Sequence, residues 1–157
     1  MWAKCCKSFL AGAATLAIFA GFSWAANHHE LNGTWQLVPS RSELNGESVI
    51  QSGTVTINDR ERNVYVERSF NFDGANQSTS TTFSTDAREK TSIKDKEQGF
   101  KSKAKWDGDV LKVTTTQDGV NIVERYNLRN DGTMMLQIDR TGHQPETFYF
   151  QRTAPRS

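Results

Sequence analysis

The chain has 157 residues, 36% hydrophobic and 24% charged, with 19 Lys and Arg against 18 Asp and Glu for a net charge of +1. One domain is the simplest count, since a chain of this length buries roughly two-thirds of its unfolded surface in a single core. The near balance of charge, without a long Lys/Arg cluster, excludes a nucleic-acid partner that would need a basic face to release counterions.

The first segment, "MWAKCCKSFLAGAATLAIFAGFSWA", sets Lys4 and Lys7 before an apolar run from Phe9 to Phe22 and ends small-x-small at Ser23-Trp24-Ala25. This pattern predicts a cleaved signal peptide over 1–25, cut after Ala25, and a secreted or periplasmic protein. The run is short for a bilayer span and no second one follows, so no stable membrane anchor is expected. Cys5 and Cys6 precede the run and leave with it, so the fold must be held by packing without a disulfide. Lys4 and Lys7 leave too, which tips the charge balance slightly acidic.

Residues 26–30 read as a flexible N-terminal tail. His28, His29 and Glu30 are the one cluster of metal-ligand types, and His143 is the only other histidine. A structural zinc site takes about four preorganised ligands, so no metal site is expected.

From 31 to 153 the hydrophobic period is two. "NVYVERSFNF" (63–72) alternates through Val64, Val66, Phe70 and Phe72, and "VNIVERYNLR" (120–129) through Val120, Ile122, Tyr126 and Leu128. Asp73-Gly74, Asp107-Gly108, Asp118-Gly119 and Asp131-Gly132 suit the positive φ of hairpin turns. Strands are expected near 31–38, 53–58, 63–72, 77–85, 100–106, 110–117, 120–129, 133–141 and 146–153, with a weaker segment around 91–95. The long irregular connections are 39–52 and 86–99. Lys101, Lys103 and Lys105 alternate outward, as on a solvated or edge strand guarded against edge-to-edge pairing. The fold class is therefore all-β: a single up-and-down antiparallel barrel of about eight to ten strands over 31–153, followed by a short tail at 154–157.

A Gly-x-Trp opening the first strand, here Gly33 and Trp35, resembles the pattern of lipocalins, avidins and related calycins. The resemblance implies that Trp35 closes one barrel end and that Arg152, in "FYFQRT", packs over its indole. The phrases "LNGTWQLVPSRS", "SGTVTI", "KAKWDGDVLKVTT", "ERYNLRNDGTMML" and "FYFQRT" are similar, in this order, to a group of small secreted lipocalin-like bacterial proteins without a settled activity. Three features depart from the larger families. The Thr-Asp-Tyr motif of true lipocalins is missing around 124–132, the few residues after Arg152 leave no room for their C-terminal helix, and Pro39 and Gly46 make 39–52 poor material for a helical lid like that of fatty-acid-binding proteins.

Three charged residues share parity with the apolar face: Arg68, Glu124 and Arg140. A buried charge must meet a partner, water or a ligand. Arg68 or Arg140 could pair with Glu124, a bulge could turn them to solvent, or an arginine could hold a ligand's carboxylate or phosphate through its two-pronged fork. Phe70, Phe72, Phe83, Phe100, Trp106, Phe148 and Phe150 also fall on inward positions, while Thr79, Thr81, Ser102 and Ala104 leave room and hydrogen-bonding groups. The candidate ligand-binding residues are Arg68, Glu124, Tyr126, Arg140, Ser102 and Thr81. Gly33, Trp35 and Arg152 are assigned to barrel closure.

No Gly-rich phosphate loop, nucleophile elbow or Cys/His pair is present, so no catalytic residue or cofactor is assigned and the chain is not expected to be an enzyme. The leading expectation is a secreted or periplasmic binding protein that holds a small hydrophobic or amphipathic ligand, an anionic one included, in its barrel. The alternative is a protein-interaction module or inhibitor with a filled barrel that binds an unidentified protein through its loops.

Overall fold

The computed structural model describes residues 29–43, 50–86, 90–94 and 98–153. The expected leader over 1–25, His28 of the histidine cluster, the tail at 154–157 and the middles of the two long connections lie outside these residues.

Ten strands make up most of the described chain: β1 (Gly33–Leu37), β2 (Ile50–Arg60), β3 (Asn63–Phe72), β4 (Ala75–Ser84), β5 (Lys90–Lys94), β6 (Gln98–Asp107), β7 (Val110–Gln117), β8 (Val120–Leu128), β9 (Met134–Arg140) and β10 (Glu146–Arg152). Alternation forces the arrangement. On β3, Val64 and Val66 are buried while Asn63 and Glu67 are exposed, and on β6 Ser102 and Ala104 are buried while Lys101, Lys103 and Lys105 are exposed. A sheet with one apolar face throughout must curl to hide it.

The sheet is antiparallel, in the order β4-β3-β2-β1-β10-β9-β8-β7-β6-β5. Strands adjacent in sequence are therefore adjacent in the sheet, except β4 and β5 at its two ends, and the first strand pairs with the last. The tight turns allow this. Asp73 and Gly74 have φ of 48° and 86°, and Asp118 and Gly119 have 51° and 79°, which joins β3 to β4 and β7 to β8 with two residues each. No ladder joins β4 to β5 among the described residues, so the barrel has one seam there. An isolated bridge between Asp86 and Lys105 draws the chain after β4 toward β6.

The uncertain segment around 91–95 is a strand, β5, paired with β6 from Lys90↔Ser102 to Lys94↔Gln98. β6 pairs with β7 along Lys101 to Asp107, but β5 covers its other side only as far as Ser102. Among the described residues the exposed Lys103 and Lys105 therefore stand on an edge at the seam, as expected, met there by the single bridge from Asp86 to Lys105. One expectation is corrected: the chain before β1 is a 3-10 turn, His29–Leu31, which takes in the last two residues of the stretch 26–30 read as a loose tail. It is pinned because Arg152 donates to the carbonyls of Glu30 and Asn32.

The core fills the half of the barrel toward that turn. Trp35, Val55, Ile57, Val64, Val66, Leu111, Val113, Tyr126, Met134, Leu136 and Phe150 are all essentially inaccessible. At their side chains the lumen is solid protein, packed to interior density.

Candidate functional site: a crossbar beneath an open chamber

The two barrel ends are built differently. At the closed end the turn His29–Leu31 touches both β2 and β8 and so lies across the opening. Trp35 stands behind it, fully buried, and its indole Nε1 donates to the Leu31 carbonyl at 2.9 Å. Trp35 and Arg152 are register partners on β1 and β10, and the guanidinium carbon lies 4.2 Å from the centre of the indole. Such a cation over an aromatic face contributes about 0.5–2 kcal/mol, and the same guanidinium also ties down two turn carbonyls. Gly33 makes the approach possible: its φ is +128°, and a Cβ there would lie 2.7 Å from Arg152 Nη1.

The other end is open. Ile50, Phe70, Phe72, Gln77, Ile138, Arg140, Gly142, His143, Gln144, Glu146 and Phe148 line a cavity of about 650 Å³, within the range of small-molecule sites. Phe70, Phe72 and Phe148 give part of its wall an aromatic surface beside polar groups. Phe70 packs against Phe72, Phe148 and Phe150 with ring centres 6.1, 6.0 and 6.4 Å apart, so one ring borders both the cavity and the sealed core. Gly53 provides the space for that ring, because a Cβ on it would lie 2.4 Å from Phe70 Cδ1.

Between the halves runs a polar crossbar. Arg68 on β3 donates from Nη1 to Glu124 Oε1 on β8, and these strands stand on opposite walls, separated in the sheet by β2, β1, β10 and β9. Tyr126 is fully buried and donates its hydroxyl to Glu124 Oε2 at 3.1 Å. Burial pushes the Tyr126 phenol well above its ordinary range and Arg68 and Glu124 act on it less, so it stays a donor. Burial opposes the charge on Arg68, but the facing oxygens of Tyr126 and Glu124 outweigh it and raise its pKa. Both Glu124 oxygens are thus occupied, and the ion pair cancels within the interior. The Arg68 side chain keeps 19% of its surface accessible, against 9% for Glu124.

The structure brings Arg68, Glu124 and Tyr126 together and sets the other candidates apart. Ser102 is buried on β6 facing inward, and its Oγ has no hydrogen-bond partner among the described residues. Thr81, half-buried on β4, is the register partner of Val66. Arg140 is exposed at the end of β9 and lines the cavity mouth rather than joining the crossbar. Sequence reasoning missed Gln77, Glu146 and the residues of the β9–β10 turn. Gln77 shares parity with Thr79 and Thr81, and Glu146 with Phe148 and Phe150, so alternation alone could have found those two. The turn residues carry no such signal.

The sequence matches no family model and no curated protein. Solved structures match in fold. The REP1-NXSQ fatty acid transporter has a TM-score of 0.64 at 14% identity, over 82% of this chain and 99% of that one. Secretory abundant heat soluble protein 4 from Ramazzottius varieornatus has 0.61 at 15% identity, over 80% and 96%. A Schistosoma mansoni fatty acid binding protein in complex with arachidonic acid has 0.56 at 15%, over 80% and 97%. At such low identities the likeness establishes the barrel architecture.

Proposed function

We propose that this chain is an exported binding protein that holds a small hydrophobic or amphipathic ligand in the open half of its barrel. The observation that carries the reading is the cavity of about 650 Å³, walled by Phe70, Phe72, Phe148, Ile50 and Ile138 and rimmed by polar groups. Apolar walls supply the affinity by removing ligand surface from water, and a few polar groups set orientation. Similar barrels named for fatty acid transport or binding add support. Export rests on the leader over 1–25, and places the mature N-terminus at Ala26.

A filled barrel acting only through loops would leave no chamber at the mouth, so the interaction-module reading is the weaker one. Native mass spectrometry of the purified protein, followed by thermal unfolding with added fatty acids, alcohols and aromatics, is the deciding measurement. A bound small molecule or a rise in Tm is expected. An empty protein that no apolar compound stabilises would end this reading.

A further inference from the structure

The charged groups that line the chamber are confined to its lip: Arg140 at the end of β9 and Glu146 at the start of β10, with His143 in the turn between them. Toward the core the lining is apolar, and Phe70 there packs on the sealed ring of Phe150. An apolar tail can descend only as far as these rings, so a polar head stays at the lip.

Arg140 and Glu146 stand close without pairing. Glu146 is the register partner of Ile138, and Arg140 lies two residues further along the same face of β9, a diagonal separation of about 7–8 Å between backbones. Arg140 is exposed and Glu146 half-buried, and neither side chain has an ion pair among the described residues. The lip thus presents one positive and one negative charge side by side. A carboxylate or phosphate drawn to Arg140 would also meet the Glu146 carboxylate, and an ammonium drawn to Glu146 would meet the guanidinium, so each sets one repulsion against one attraction. A head that carries both charges meets two attractions, its anion on the guanidinium fork and its cation on the carboxylate.

We infer that the chamber takes an amphipath with a zwitterionic head, a phosphate or carboxylate joined to an ammonium group, whose tail lies against Phe70, Phe72 and Phe148. This rests on the container reading above and specifies its ligand class. Gln77 and Gln144, also on the lining, supply amides for the remaining oxygens of such a head.

Displacement of Nile red from the full chain tests it, with compounds that share a dodecyl tail and are kept below their micelle thresholds: dodecylphosphocholine, dodecyl phosphate, dodecyltrimethylammonium and the uncharged dodecyl maltoside. A buffer at about pH 8, above the ordinary imidazole range, keeps histidine charge out of the comparison. Dodecylphosphocholine should displace the dye at concentrations about tenfold lower than any of the other three. Glu146→Gln should move the preference to dodecyl phosphate, and Arg140→Gln should move it to dodecyltrimethylammonium. Both residues sit at the lip, and circular dichroism checks that each variant keeps the native fold. Equal displacement by dodecylphosphocholine and dodecyl maltoside, or a native preference for dodecyl phosphate, would overturn the inference while sparing the container reading. A native ranking that neither folded variant alters would do the same. Failure of every compound to displace the dye, or of the dye to bind, would overturn both.

Discussion

The closed and open halves of the barrel use the same strands for opposite ends. On β3, Val64 and Val66 are sealed in the core while Phe70 and Phe72, a few residues on, face a chamber; on β10 Phe150 is sealed and Phe148 lines the cavity. One sheet is thus both hydrophobic core and container, and the Arg68–Glu124 pair marks the change. Stability should concentrate where the lumen is solid, which leaves the mouth free to trade packing for capacity.

The sharpest way to break the comparison is to truncate one aromatic at each end. Trp35→Ala should cost about 3–5 kcal/mol, the range for a large ring removed from a packed interior. Phe72→Ala, at the partly exposed mouth, should cost less than about 2 kcal/mol because its ring buries less surface in the free protein. Urea unfolding of both variants measures the contrast. Equal losses would mean that the two halves are not mechanically distinct.

A smaller effect is expected at the boundary. Gly53→Ala places a methyl group where Phe70 now packs, and overpacking of this kind costs about 1–3 kcal/mol. The ring should be driven toward the cavity, so ligand uptake should fall more than stability does. Titration of a bound apolar dye alongside thermal unfolding separates the two.

The smallest effect lies outside the barrel. Asp131 accepts from the Thr133 hydroxyl and backbone N–H and pairs with Arg41 at 3.1 Å. The Thr133 bonds, then Arg41, hold its carboxyl down at about 2. A depressed carboxylate contributes stability that is complete above its unfolded value, about 4, and is lost as pH falls through the folded value. The Tm difference between native protein and Asp131→Asn should therefore be constant above about pH 4 and shrink toward pH 2, since the group is exposed and its contribution modest.

Strand identity was legible because alternation and turn chemistry agree. Val64 to Phe72 and Val110 to Gln117 end in Asp-Gly pairs whose φ values are those the dipeptides favour. The start of β2 was not legible, because register shifts between Ile50 and Ser52 and a bulge breaks the alternation that reveals a strand. The Glu61-Arg62 turn carries none of the usual turn residues, though Glu61 takes φ of 55°. At the site, parity identified Arg68, Glu124 and Arg140 as inward-facing, but parity has no height. Only the three-dimensional stagger of the strands decides that Arg68 reaches Glu124, 56 residues away, while Arg140 rises to the rim.

The indole on the first strand is covered by a side chain on the tenth, with Thr153 also bonded to Thr34 at 2.9 Å. During synthesis, then, the base of the vessel cannot be sealed until β10 has emerged behind all the other described strands, and contacts so distant in sequence form slowly. A polypeptide halted just short of Arg152 would carry every wall of the chamber and still leak at the bottom.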